Sequence, residues 1–202
     1  MFTRAELKSS AKDQLKGNWL LSILVFACYS VILQLVNVKL TSFTGRAMVG
    51  FSLNIIGLLV YGSLQVGISR FSLKLAHKDP TAKFTDLFSG LDVFIKALVM
   101  NFIIWICIAI GTILFIIPGI IVGIMLSQAN YILAENPEKS AIECIKESSR
   151  MMKGHKFNYF VLGLSFIGWL ILCIISFGIG FLWLVPYLEV TLANFYLKVK
   201  EA

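Results

Sequence analysis

Charged residues are scarce in this 202-residue chain: Asp, Glu, Lys and Arg together make up 14% of it, and 58% is hydrophobic. A soluble domain contains about 25% charged and about 45–50% apolar residues. The shortage of charge therefore excludes a soluble enzyme, a coiled coil and a disordered tail. It favours a protein whose solvent is the hydrocarbon of a membrane.

Closely spaced cysteines and familiar catalytic motifs are also absent from the sequence. The four cysteines lie far apart, whereas metal sites need short repeats such as CxxC. The sequence contains no HExxH, GxSxG, Walker or GxGxxG motif. We therefore expect no metal, no cofactor and no enzyme active site of a familiar kind. The cysteines are Cys28, Cys107, Cys144 and Cys173.

Long apolar runs predict a bundle of six membrane-spanning helices, because each run approaches the roughly 20 residues that a span needs. The third and fourth runs meet at Pro118-Gly119. A single helix over both would be about 63 Å long, twice the ~30 Å hydrocarbon core, so we interpret them as a hairpin. The fourth run is short and indicates local thinning or incomplete crossing. The runs cover about 18–37, 50–70, 93–117, 119–134, 157–177 and 181–197.

The basic residues are distributed asymmetrically between the predicted loops. If the N-terminus is cytoplasmic, 15 of the 18 lysines and arginines fall in cytoplasmic segments, as the positive-inside rule requires. The sequence therefore predicts an all-α multi-pass protein with both termini in the cytoplasm. The net charge of +7 then points to anionic lipid headgroups as partners rather than to nucleic acid.

Residues 3–17 predict a cytoplasmic helix that lies at the membrane surface. Thr3 and Glu6 form a capping box, and Gly17 is placed to end the helix. The apolar face and the basic face are separated, as is typical of interfacial helices. The two faces carry Leu7, Ala11 and Leu15, and Lys8, Lys12 and Lys16.

Residues 136–153 predict a second cytoplasmic amphipathic helix. Asn136 is placed to cap it, Pro137 suits its first position and Gly154 suits its end. A basic cluster joins this helix to the fifth span. We expect the cluster either to bind an anionic headgroup or a protein partner, or only to set the topology. Its members are Arg150, Lys153, His155 and Lys156.

Glu189 is the acidic residue that lies well inside a predicted span. At about 12 Å depth, an ionised carboxylate costs several kcal/mol unless it is paired or hydrated, so it is a candidate functional residue. Gln128 falls at a similar depth and Asn101 a few ångströms lower. The three residues predict a mid-membrane polar site for a proton, an ion or a headgroup. The alternative is a protonated carboxyl that holds helices together. Lys96 lies too far toward the cytoplasmic end to pair with Glu189.

Gly119 and Gly123 form a GxxxG pattern, which is typical of close helix packing in membranes. The sequence leaves open whether the partner helix belongs to the same chain.

Several motifs together resemble a known family. The specific ones are an Ile-Ile-Pro-Gly-Ile hairpin and a basic string near the second amphipathic helix; a Phe-Ser-Gly and an Asn-Pro pair accompany them. The chain resembles, over nearly its whole length, the bacterial integral membrane family named domain of unknown function 975. It is more loosely similar to the membrane portion of glycerophosphodiester phosphodiesterases. The motifs are residues 88–90, 116–120, 136–137 and 148–156.

The resemblance implies a multi-pass plasma-membrane protein of a bacterium, without catalytic residues to transfer. We expect a non-enzymatic accessory or scaffold protein that binds anionic lipid, a membrane-protein partner or a second copy of itself. The alternative is a small permease or lipid-handling protein that uses Glu189, Gln128 and Asn101.

Overall fold

The computed structural model describes the backbone of residues 3–44 and 55–201 and the side chains of residues 3–35 and 60–201. Within these ranges the chain is built of helices and turns, without strands, so the predicted all-α class is confirmed. A 3₁₀ helix (Phe84–Val93) precedes α4. The α-helices are α1 (Arg4–Leu15), α2 (Trp19–Thr44), α3 (Ile55–Ala76), α4 (Phe94–Leu114), α5 (Ile116–Leu126), α6 (Ala129–Glu135), α7 (Ala141–Met151), α8 (Lys156–Leu164), α9 (Ile167–Ile175) and α10 (Phe181–Lys200).

Three helical stretches among the described residues are long and apolar enough to cross a membrane, and a bent pair gives a fourth. The six-span count therefore stays a prediction. The second predicted span begins at residues outside the described ranges. The sixth corresponds to α10, which carries Glu189 and Asn194 and is largely buried by its neighbours. The stretches are Phe84–Leu114, Ile116–Glu135 and Lys156–Ile175, and the pair is Arg4–Leu15 with Trp19–Leu35.

Helix α1 lies almost at right angles to α2, with a bend of 99°. Gly17, at φ +85°, provides the left-handed backbone that this bend needs. The predicted capping box is present: the amide of Glu6 donates to Thr3 Oγ1 at 3.2 Å, and the amide of Thr3 donates to Glu6 Oε2 at 2.9 Å. The apolar face packs against other helices of the chain rather than lying open to lipid, since Leu7, Ala11 and Leu15 are all buried in the core.

Helices α4 and α5 form a tight hairpin. The turn lies at Phe115, whose backbone is extended, and not at Pro118-Gly119 as predicted. Pro118 instead falls in the first turn of α5, where its missing amide costs no helical hydrogen bond. A Cβ added to Gly111 would lie 3.0 Å from Gly119 Cα. The partner of the GxxxG pattern at Gly119 is therefore α4 of the same chain.

Helix α7 begins later than the sequence predicts. Ser140 caps it, not Asn136: the amide of Glu143 donates to Ser140 Oγ at 3.3 Å, and the amide of Ser140 donates to Glu143 Oε2 at 2.8 Å. These bonds hold the pKa of Glu143 below its usual value. Pro137 lies in a turn that precedes the helix. Gly154, at φ +83°, lies between the end of α7 and the start of α8, at the predicted stop.

Charged ends of several helices meet at one end of the bundle. Arg70 of α3 donates to the carbonyl oxygen of Ala134 at the end of α6. Lys200 of α10 pairs with Glu135 at 2.6 Å. Lys96, near the start of α4, donates to the carbonyl oxygens of residues 137 and 138. Lys96 thus lies at this charged end, which we call the basic end.

Candidate polar site at the α5–α6 break

The helix is interrupted between α5 and α6, and Ser148 of α7 holds the interruption. Its hydroxyl donates to the carbonyl oxygen of Met125 at 2.9 Å and accepts from the amide of Gln128 at 3.2 Å. Ser148 is fully buried. In a continuous helix the amide of Gln128 would bond to Ile124. The α7 side chain therefore replaces a helical hydrogen bond and fixes α6 against α7.

Glu189 of α10 faces a group of tyrosines. The hydroxyl of Tyr131 donates to Glu189 Oε2 at 3.1 Å. The hydroxyls of Tyr29, Tyr61 and Tyr159 also lie within electrostatic range of the carboxylate. These phenols come from α2, α3, α6 and α8, so four helices converge on one carboxyl group. Glu189 itself is half-buried.

Gln128 lies beside this group. Its Nε2 donates to Ser127 Oγ at 2.7 Å, and the Ser127 hydroxyl donates to the carbonyl oxygen of Ile124. The Gln128 side chain is fully buried, and its Oε1 has no hydrogen-bond partner in the described part of the chain. A buried amide oxygen without a donor is costly, and this makes Gln128 a candidate functional residue.

Asn101 lies on another side of α6. Its Nδ2 donates to the carbonyl oxygen of Ala97 at 2.8 Å and to Asn130 Oδ1 at 3.3 Å. The three predicted residues thus all lie at or beside residues 127–131, but in the described part of the chain no hydrogen bond joins one of them to another. Asn101 and Gln128 are buried, whereas Glu189 keeps some exposure. Among the described residues there is no group of three or more His, Cys, Asp or Glu that could hold a metal ion.

The predicted basic cluster lies where α7 turns into α8. Arg150 and Lys153 are exposed, and His155 and Lys156 are half-buried. The four residues lie within one short stretch of the chain, which is suited to contact with an anion at the surface.

A second basic surface was not singled out as a site from the sequence. The basic face of α1 faces α8, α9 and α10 across two open grooves of about 570 and 510 Å³. In the larger groove Lys8 Nζ donates to the carbonyl oxygen of Ser165 at 2.8 Å and lies 4.0 Å from the ring centre of Phe166. The spacing of four residues between these basic side chains predicts that they share one face of α1. This face carries Arg4, Lys8, Lys12 and Lys16.

No curated protein and no solved structure matches the sequence. The similarity to glycerophosphodiester phosphodiesterases therefore stays a prediction. The profile of one protein family, described as Protein of unknown function (DUF975), matches residues 1–121 and 101–202, which together cover the whole chain. The chain belongs to the DUF975 family.

Proposed function

We propose that this protein is a non-enzymatic accessory protein of the bacterial plasma membrane that binds anionic lipid headgroups at its basic end. The position of α1 carries the proposal. Gln14 Nε2 donates to the carbonyl oxygen of Ala76, the last residue of α3, at 2.7 Å. Gln14 also exchanges two hydrogen bonds with Asn194 of α10. Helix α1 therefore crosses the bundle beside the last residue of α3 and Asn194 of α10, and its lysines face the grooves lined by α8, α9 and α10.

The direction of α1 fits a helix that lies along the membrane surface. Because α1 lies at 99° to α2, it lies in the plane of the membrane if α2 crosses it. Lysines at this level meet the negative potential of anionic lipids, which is worth about 1 kcal/mol for each cation near the surface.

We further propose six spans, formed by α2, α3, α4, α5–α6, α8–α9 and α10. Three contacts at the basic end support this arrangement. Arg70 in the last part of α3 reaches the end of α6, and Lys200 at the end of α10 pairs with Glu135 of α6. Lys96 at the start of α4 meets the segment that follows α6. Helices that end and helices that begin alternate at this end, as six spans require, and the positive-inside rule then favours a cytoplasmic location for both termini.

The test uses the full chain purified in detergent, with its thermal unfolding followed by tryptophan fluorescence. We expect a phospholipid with net negative charge to raise Tm more than a zwitterionic phospholipid with the same acyl chains. The difference should shrink as ionic strength rises from about 0.05 to about 0.5 M, since salt screens exposed charges. Equal effects of the two lipids would overturn the proposal. Labelling of a cysteine placed within residues 136–156 from outside intact cells would overturn the orientation.

A second candidate function, a small permease, is favoured by the half-buried Glu189 beside the unpaired Oε1 of Gln128. The test is Glu189→Gln in proteoliposomes, which keeps the volume of the side chain and removes its charge. A permease predicts that proton or ion flux is lost while Tm is unchanged. A fall in Tm with no flux in the wild type would instead show that Glu189 only holds α6 and α10 together.

A further inference from the structure

The smaller groove, between α1 and the hairpin of α9 and α10, combines lysines with tryptophans. Its volume of about 510 Å³ is within the range of sites for small organic ligands. One side is basic and the rest is aromatic or aliphatic. The residues used below are Lys12, Lys16, Trp169, Leu172, Trp183 and Tyr187.

The basic side of this groove is available to an anion. Lys12 Nζ lies 5.8 Å from the ring centres of both Trp169 and Tyr187. Lys16 pairs with Asp13 at 2.6 Å, but both side chains are exposed, and such pairs contribute little. Exchanging the Asp13 carboxylate for a phosphate therefore costs little. Two ammonium groups spaced one helical turn apart are thus presented to the groove.

The apolar wall of the groove is open to the surroundings. Trp169, Leu172 and Trp183 are 46%, 57% and 50% exposed. Behind them the two helices are in close contact, since a Cβ added to Gly180 would lie 2.7 Å from Cys173 Sγ. Exposed tryptophans are typical of the level where lipid headgroups meet hydrocarbon. The wall is continuous with the lysines, so the groove is cationic at one edge and hydrophobic along its length.

We infer that this groove binds one anionic phospholipid, with its phosphate at Lys12 and Lys16 and an acyl chain along Trp169, Leu172 and Trp183. The inference rests on the proposed function and goes beyond it, because it assigns a single site and a ratio of one lipid to one chain. Charge complementarity selects the occupant. A zwitterionic lipid brings a cation to the two lysines, and an apolar segment of protein leaves both of them without a counter-charge.

The experiment counts bound lipids by native mass spectrometry of the full chain titrated with phosphatidylglycerol in detergent. The test variant is Lys12→Gln/Lys16→Gln, and the matched control is Lys83→Gln/Lys146→Gln, which removes the same charge elsewhere on the surface. We expect the first lipid to bind roughly 30-fold more weakly to the test variant, from the surface-cation energy of two lysines, and within about threefold of wild type to the control. All four side chains are exposed, so neither variant should alter Tm without lipid.

A second variant, Leu172→Trp, keeps both lysines and fills the wall of the groove. We expect it to lose the first lipid as well, while inorganic phosphate alone fails to displace lipid from the wild type. Equal weakening of the test and control variants would overturn the inference and leave the proposed function intact. Unchanged binding by Leu172→Trp, or displacement by phosphate alone, would overturn the acyl-chain part. Equal binding of phosphatidylglycerol and phosphatidylcholine by the wild type would overturn the inference together with the proposed function.

Discussion

Replacing Ser148 by alanine removes the hydroxyl that holds the break between α5 and α6. Two backbone groups then lose their partner: the carbonyl oxygen of Met125 at 2.9 Å and the amide of Gln128 at 3.2 Å. Because Ser148 is fully buried, water cannot replace the hydroxyl without opening the contact between α7 and α5–α6. Each buried polar group left without a partner costs about 1–3 kcal/mol.

The expected loss for Ser148→Ala is therefore about 2–6 kcal/mol of unfolding free energy. For a protein of this size that corresponds to a fall in Tm of roughly 4–24 °C. Tryptophan fluorescence during heating in detergent measures it. Ser149→Ala is the matched control, since Ser149 is the adjacent serine, is half-buried and belongs to the same helix.

A Tm for Ser148→Ala within 2 °C of that for Ser149→Ala (a difference of about 1 kcal/mol or less) would refute this reasoning. It would mean that residues 124–130 straighten into one continuous helix, in which the amide of Gln128 recovers its usual acceptor four residues earlier. The break would then be a consequence of packing elsewhere and not a feature that Ser148 maintains.

Three further results are expected. Gly119→Ala should lower the free energy of unfolding by about 1–3 kcal/mol through overpacking, because its Cβ would lie within 3.0 Å of backbone atoms of α4. The control Gly123→Ala, with 3.8 Å to the nearest atom, should leave Tm nearly unchanged. Equal effects of the two variants would contradict the hairpin geometry. Glu143→Ala should lower Tm at neutral pH. The difference in Tm from wild type should vanish as the pH falls through the pKa of Glu143 in the folded protein, which lies below the ordinary 4.5, because the capping carboxylate is then protonated. A difference in Tm that persists at lower pH would contradict the capping role of Glu143. Burial raises the pKa of Cys144 to about 11, so maleimide at pH 7 should modify this thiol only after the protein unfolds. Mass spectrometry counts the modified cysteines. Rapid modification of Cys144 in the folded protein would show that this side of α7 is not packed against its neighbours.

Local patterns predicted the helices well where the deciding interactions lie within a few residues. The capping box at Thr3 depends on residues three apart, and the stop at Gly154 depends on one backbone angle. The start of α7 was predicted wrongly because two capping patterns compete there. Asn136-Pro137 and Ser140 with Glu143 are both acceptable locally. Lys96, some 40 positions earlier, donates to the carbonyl oxygens of residues 137 and 138 and helps to hold them in a turn.

The surroundings of the polar site could be predicted only in part. A carboxylate in an apolar run identifies Glu189 without any structure, because its burial is costly. The tyrosines around it come from four helices, and their convergence depends on how each helix is rotated about its axis. Likewise, the apolar face of α1 indicates burial, but periodicity does not distinguish lipid from protein as the covering material. The structure supplies protein contacts for that face.

The contacts of α1 set an order of events during biogenesis. Lys8 and Gln14 bind groups 157 and 180 positions later in the chain. At about 5–20 residues per second, translation makes the second of these partners roughly 10–35 s after α1 has left the ribosome. In that interval the apolar face of α1 lacks its contacts with the later helices. The contacts that fix α1 therefore form only after nearly the whole chain has been made.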